Sequence, residues 1–86
     1  MDLPQILGRN VREARIRRGM SQEALALEAE MKRSYVSDLE RGTRNPSVKA
    51  IGRLAVALGV LPRELLEVPA GVGWPTEVGL SRDGIG

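Results

Sequence analysis

The sequence predicts an all-α fold of five short helices followed by an irregular C-terminal tail. Apolar residues recur three and four positions apart along most of the chain up to residue 66, which places them on one face of each helix. Glycine follows three of the predicted helices, at Gly19, Gly42 and Gly59, as is typical where a helix ends. The chain has 86 residues, enough for one small domain, and helices are the economical way to build a core of that size.

The composition excludes several classes of site. The chain contains no cysteine, so it can form neither a disulfide nor a thiolate metal site, and no histidine, the usual general base. We therefore expect a protein that is not an enzyme and uses no cofactor or metal ion. No stretch approaches the roughly 18 apolar residues that cross a membrane, and the N-terminus lacks the pattern of a signal peptide. A cytoplasmic bacterial protein is expected.

Charge is unevenly distributed along the chain, although its net value is only +2. Residues 1–53 carry 11 basic and 7 acidic side chains, whereas residues 54–86 carry 2 basic and 4 acidic ones. A basic N-terminal part is what a surface that faces phosphate groups needs, although charged segments are more often simply solvated.

The first helix is predicted over residues 5–18 and the second over residues 21–28. Ser21 is a good N-cap for the second helix, because its hydroxyl can accept a free backbone N–H. The residues expected in the core are Leu7, Val11 and Ala14 of the first helix and Leu25, Ala26 and Ala29 near the second.

The third helix, predicted over residues 32–41, has two different faces. Val36 and Leu39 form an apolar face, whereas Arg33 with Ser37, and Ser34 with Asp38, lie four residues apart on a polar one. A helix of this kind, packed on the preceding helix, is able to enter the major groove of DNA. An ordinary helical hairpin with a solvated polar face fits the spacing equally well.

The particular residues of this stretch favour the first alternative, because they resemble the Cro/C1-type helix-turn-helix of phage repressors and XRE-family regulators. The resemblance covers roughly residues 5–67, and the block over the third helix is similar to that of small restriction-modification controller proteins. It implies a five-helix, lambda-repressor-like DNA-binding domain over residues 1–68, which acts as a homodimer on a roughly palindromic site in double-stranded DNA. The matching blocks are Ser21-Gln22-Glu23, Leu25-Ala26, Ser34 to Gly42 and Arg44 to Ser47, continued by Ile51, Leu54-Ala55, Ala57 to Val60, Pro62 and Glu64 to Leu66.

Candidate contacts to DNA follow from these residue types and from the resemblance. Lys32 and Arg33 suit guanine, and Asp38 could accept from a cytosine amino group or orient Arg33 or Arg41 instead. Tyr35 could donate to a phosphate or pack at the edge of the core. The predicted base-reading residues are Lys32, Arg33, Ser34, Ser37 and Asp38, and the predicted phosphate contacts are Ser21, Gln22, Tyr35, Arg41, Thr43, Arg44 and Asn45.

Three features of the helix pair bear on its stability. Glu30 stands where the family commonly has a glycine in left-handed conformation, which costs a non-glycine residue roughly 1 kcal/mol. Lys32 stands at the N-cap of the third helix, where it cannot accept a backbone N–H. The resemblance also implies an ion pair between Arg15 and Glu40, for which the alternative is two separate surface charges.

The fourth helix is predicted over residues 47–58, capped by Ser47, and the fifth begins at Pro62. The predicted core residues of the fourth helix are Ile51, Leu54, Ala55 and Leu58. The family often dimerises through this region, so Leu61, Leu65 and Val68 are predicted to lie near a two-fold axis. Alternatively, these three side chains only close the monomer core.

Residues 69–86 form a predicted tail rich in glycine and proline, with Trp74, the only tryptophan of the chain, inside it. A lone tryptophan in such a segment suits an apolar groove on its own domain, on the dimer mate or on another protein. The alternative function is therefore an antitoxin or protein-interaction module whose Trp74 tail binds a partner protein.

Overall fold

The computed structural model describes residues 1–74 and contains five helices and no strand in that range. The helices are α1 (Leu3–Arg17), α2 (Gln22–Ala29), α3 (Arg33–Glu40), α4 (Val48–Leu58) and α5 (Pro62–Leu65). The prediction of an all-α, five-helix fold is confirmed. None of the helices in residues 1–74 has both the length and the apolar character needed to cross a membrane.

Helix α1 begins two residues earlier than the predicted start at residue 5. The Asp2 carboxylate accepts the Gln5 backbone N–H at 3.0 Å, and the Gln5 side-chain oxygen accepts the Asp2 backbone N–H at 2.9 Å. This reciprocal pair is a capping box. Pro4 does not interrupt the helix, because a residue in the first turn has no intrahelical acceptor for its N–H.

Serine caps two helices as predicted. The Ser21 hydroxyl accepts the Ala24 N–H at 3.0 Å at the start of α2, and the Ser47 hydroxyl accepts the Ala50 N–H at 3.1 Å at the start of α4. Gly59 ends α4 with a φ of 70°. These local signals set the starts of α2 and α4 and the end of α4.

One core is shared by all five helices, and it includes every residue predicted there except Ile51, which is half-buried. Helix α3 packs on both α1 and α2, while α5 packs on α1 and α4. Gly8 lets α1 approach the end of α3 closely, because a Cβ at this position would overlap the carbonyl oxygen of Leu39. Helix α3 is therefore seated directly against the backbone of α1.

Asn10 holds the segment that follows α5 against α1. Its side-chain amide donates to the carbonyl oxygens of Leu65 and Glu67, both at 2.9 Å. The first residues of the predicted tail contain a turn, in which the Val72 N–H donates to the Pro69 carbonyl at 3.1 Å, and Trp74 is half-buried. Residues 75–86 of the predicted tail lie outside the described residues.

The turn between α2 and α3 has the two unfavourable features expected from the sequence. Glu30 adopts a left-handed conformation with φ 58° and ψ 49°. Lys32 is the N-cap of α3, and no side-chain hydrogen bond satisfies the first turn there. The N-terminal end of α3 is therefore less stabilised locally than the starts of α2 and α4.

We expect Glu30→Gly to raise the free energy of unfolding by about 0.5–1 kcal/mol, because glycine adopts the left-handed conformation without strain. Glu28→Gly is the matched control, since the same change inside α2 should lower the stability by about 1 kcal/mol. Urea denaturation followed by circular dichroism measures both. A loss of stability in both variants would contradict the strain at Glu30.

Candidate nucleic-acid interface

The C-terminal end of α3 is anchored by the carboxylate of Glu40. Arg15 of α1 forms a two-pronged ion pair with it, in which Nε donates to Oε2 at 2.7 Å and Nη2 donates to Oε1 at 3.0 Å. Gln22 of α2 donates to the same Oε1 at 3.1 Å. The predicted Arg15–Glu40 pair is therefore present, and the alternative of two separate surface charges is wrong.

This ion pair is shielded from water, since the Arg15 and Glu40 side chains are 13% and 4% exposed. Arg15 also donates from Nη1 to the Met20 carbonyl at 2.8 Å, which fixes the loop between α1 and α2. The hydrogen bond to Glu40 raises the pKa of Arg15; burial opposes this shift, and the attraction between the charges adds to it. Arginine is charged at every pH near neutrality, and the raised pKa of Arg15 extends that range further.

The polar face of α3 points away from the core. Arg33 and Ser34 are exposed, while Ser37 and Asp38 are half-buried on the same side of the helix, opposite Val36. The structure thus brings four of the five predicted base-reading residues onto one face. The fifth, Lys32, precedes the helix and is exposed at its N-terminal end. Within residues 1–74, neither Lys32 nor Arg33 makes a side-chain hydrogen bond or ion pair.

Asp38 organises the arginines at the end of this face. Its carboxylate pairs with Arg41, and its other oxygen lies 3.5 Å from Nη2 of Arg44. Arg41 also donates to the Ser37 hydroxyl at 3.0 Å. Of the two arginines that Asp38 was predicted to orient, the structure pairs it with Arg41 and not with Arg33. Arg44 is a further partner that the sequence did not suggest, because it lies beyond the end of the helix.

The exit loop after α3 folds back along the helix. The backbone N–H and the hydroxyl of Thr43 donate to the Asp38 carbonyl at 3.1 and 3.0 Å. The guanidinium carbon of Arg44 then lies 4.9 Å from the centre of the Tyr35 ring. At this distance the cation and the aromatic ring form a favourable cation–π interaction. Tyr35 is half-buried against the core, which is one of its two predicted roles. Asn45 is exposed in this loop.

The two predicted phosphate contacts on α2 have structural partners of their own. The Ser21 hydroxyl accepts an N–H of α2, and the Gln22 amide donates to Glu40. Both residues lie at the N-terminus of α2, where free backbone N–H groups favour an anion. Their roles toward DNA remain predictions.

The three predicted dimer residues have different environments. Leu61 is 51% exposed and Val68 is half-buried, so both are accessible to a partner. Leu65 is only 1% exposed and lies in the monomer core, so its prediction as an interface side chain is wrong and the alternative holds for it. Leu65 is buried because α5 packs on α1 and α4. Val56 of α4, which is 82% exposed, adds apolar surface in the same part of the chain.

Five helices around one core, with α2 and α3 joined by a tight turn and α3 exposing a polar face, define a helix-turn-helix domain. The chain belongs to the helix-turn-helix family HTH_3, the Cro/C1-type domain of XRE regulators, whose model matches residues 11–65. The predicted class of DNA-binding transcriptional regulator is confirmed.

Individual relatives support the same class of protein. The chain is 48% identical over 63 residues to control protein C.BamHI of Bacillus amyloliquefaciens, covering 72% of this chain and 78% of that protein. It is similar to the crystal structure of the restriction-modification controller protein C.AhdI from Aeromonas hydrophila, with a TM-score of 0.70 and 47% identity over 72% of this chain and 94% of that one. A C.Esp1396I controller tetramer in complex with its natural 35 base-pair operator matches with a TM-score of 0.67 and 27% identity, covering 78% and 99% of the two chains.

We expect Arg15→Ala and Glu40→Ala each to lower the free energy of unfolding by about 3–5 kcal/mol, because each leaves the other charge buried without a partner. Arg17→Ala in the exposed last turn of α1 is the control and should change the stability by less than about 0.5 kcal/mol. The midpoint of urea unfolding measures all three variants. Losses as small as the control's would mean that water solvates the pair.

Proposed function

We propose that this protein is a sequence-specific transcriptional regulator that binds double-stranded DNA as a homodimer, with α3 in the major groove of a roughly palindromic operator. The observation that carries the proposal is the combination of an anchored helix and a polar face whose N-terminal residues have no partner within residues 1–74. Glu40 holds α3 through α1 and α2, while Arg33 and Ser34 extend from it without partners in residues 1–74.

Base reading is assigned to the N-cap of α3 and to its polar face. Arg33 is the best candidate for a two-pronged contact with the O6 and N7 atoms of guanine, because its guanidinium is exposed and has no acceptor within residues 1–74. Lys32 can reach the same groove from the N-cap. Ser34 and Ser37 can donate to or accept from base edges or phosphates.

Phosphate contacts are assigned to the two flanks of α3. On one flank are Ser21 and Gln22 at the start of α2. On the other flank are the arginines and neutral donors of the exit loop, Arg41, Thr43, Arg44 and Asn45. Asp38 holds Arg41 and Arg44 in place, so their guanidinium groups lose less freedom when they meet a phosphate. Two charged groups in fixed positions select the register of the backbone without reading a base.

Dimerisation is assigned to the surface around Leu61 and Val68, which are accessible on the monomer. A two-fold axis there would present two copies of α3 about 34 Å apart, in successive major grooves on one side of the duplex. Support comes from C.Esp1396I, which forms a tetramer on its natural operator.

Selection of bound duplexes from a random DNA pool tests the proposal. We expect enrichment of two inverted half-sites whose centres are about one helical turn apart, because a symmetric dimer reads symmetric DNA. An unselected pool amplified without protein is the control. No enrichment at modest ionic strength would refute the regulator, whereas a single asymmetric half-site would refute the dimer.

Variants of the polar face should separate base contacts from phosphate contacts. We expect Arg33→Ala to weaken binding to the selected duplex by about 1–3 kcal/mol and to abolish the preference at one base pair of each half-site. Arg44→Ala should weaken binding to selected and scrambled duplexes alike. Asp38→Asn should weaken binding to both duplexes, as Arg44→Ala does, because Arg41 and Arg44 lose the carboxylate that holds them. Loss of a negative charge alone would instead strengthen binding. Loss of a C·G preference in Asp38→Asn would instead identify Asp38 as a base contact.

A further inference from the structure

A groove with a volume of about 320 Å³ lies beside the N-terminal end of α3. Its walls come from the turn between α2 and α3, from the first turn of α3, from the exit loop and from one side of α4. The charged and polar residues that line it are Glu30, Lys32, Ser34, Tyr35, Arg44 and Arg53. A groove of this volume has room for an ionic group.

The groove is basic. It is lined by three cations, Lys32, Arg44 and Arg53, and by one anion, Glu30. Lys32 and Arg53 are exposed and have no side-chain hydrogen bond or ion pair within residues 1–74. Arg44 is the member whose position is fixed, because it lies over Tyr35 and contacts Asp38. A cluster of cations with a single acid among them attracts an anion.

Arg53 is the cation of this groove that was not among the DNA contacts predicted from the sequence. It lies in the middle of α4, nine residues after Arg44 along the chain. The fold brings α4 against α2 and thereby places Arg53 on the same groove as Ser34 of the polar face. The cationic surface of the domain therefore continues from α3, past the exit loop, onto the fourth helix.

We propose that this groove takes a stretch of the DNA sugar-phosphate backbone and that Arg53 is a phosphate contact. The inference rests on the proposed insertion of α3 into the major groove. A helix with its side chains is about 10–12 Å across and the major groove is about 12 Å wide, so the phosphates at its edges must meet whatever flanks α3. On the Ser34 side of the helix, that flank is the basic groove.

Lys32 and Arg44 line the same groove, so Arg53 adds a third cation to it. Arginine suits this role, because its planar guanidinium can donate two parallel hydrogen bonds to phosphate oxygens. Lysine at this position would keep the charge but lose the second hydrogen bond. The contact would be independent of sequence and would add to affinity rather than to base preference.

Salt dependence of DNA binding by the full chain tests the assignment. A lost phosphate contact lowers the slope of log K against log salt by about 0.9, or about 1.8 for a dimer with two copies. For Arg53→Gln, the loss of affinity between 50 and 200 mM salt should therefore be about tenfold smaller than for the unchanged protein. The weakening at low salt should be the same for the selected duplex and for a scrambled one, and Arg53→Lys should restore most of the slope.

Arg17→Gln is the matched control. It removes the same charge from an exposed site, but Arg17 lines the separate groove between α1 and the segment after α5, together with Glu64 and Glu67. Its salt slope should equal that of the unchanged protein, and thermal melts should show that both variants remain folded. Equal slopes for Arg53→Gln and Arg17→Gln would overturn the inference. Failure of the unchanged protein to bind any duplex would instead refute the proposed function.

Discussion

The buried carboxylate of Glu40 decides where α3 sits against the rest of the domain. Glu40 ends α3 inside the protein, and its two oxygens accept three hydrogen bonds from α1 and α2. A charge in such a place is costly unless it is paired, so the helices that supply Arg15 and Gln22 cannot move away from α3 without a large loss of free energy. Gly8 adds a steric condition, because only a residue without a side chain lets α1 reach the α3 backbone.

The two ends of α3 are stabilised unequally. Its C-terminal end has the buried ion pair and an exit loop held by the Asp38 carbonyl, whereas its N-terminal end follows a left-handed Glu30 and begins at Lys32 without a side-chain cap. A serine at the cap would be the more stable choice, as it is in α2 and α4. The preference for a capping side chain is thus not met at the N-terminal end of α3, where base contacts are proposed. Such departures from local preferences are common at functional sites.

The cations of this surface fall into two kinds. Arg41 and Arg44 are held by Asp38, and Arg44 also by the Tyr35 ring, so their positions are set before any ligand arrives. Lys32, Arg33 and Arg53 have no side-chain partner within residues 1–74 and keep their conformational freedom. A surface of this composition combines a fixed frame, which sets the register on the backbone, with adaptable groups that can adjust to what they contact.

The sequence alone determined the elements whose causes are local. Serine caps, glycine stops, the left-handed Glu30 and the apolar spacing of the core all act within a few residues, so the five helices and nearly all of the core could be predicted from them. The motif blocks of the helix pair also indicated the family and the ion pair of Glu40.

Only the tertiary structure decided contacts between residues that are distant in the chain. It assigned Leu65 to the core, joined Gln22 to Glu40, folded Arg44 back onto Tyr35 and placed Arg53 beside Ser34. It also revealed the hold of Asn10 on the segment after α5. These outcomes depend on how the helices pack against one another, and helical spacing specifies which face is apolar but not which neighbour covers it.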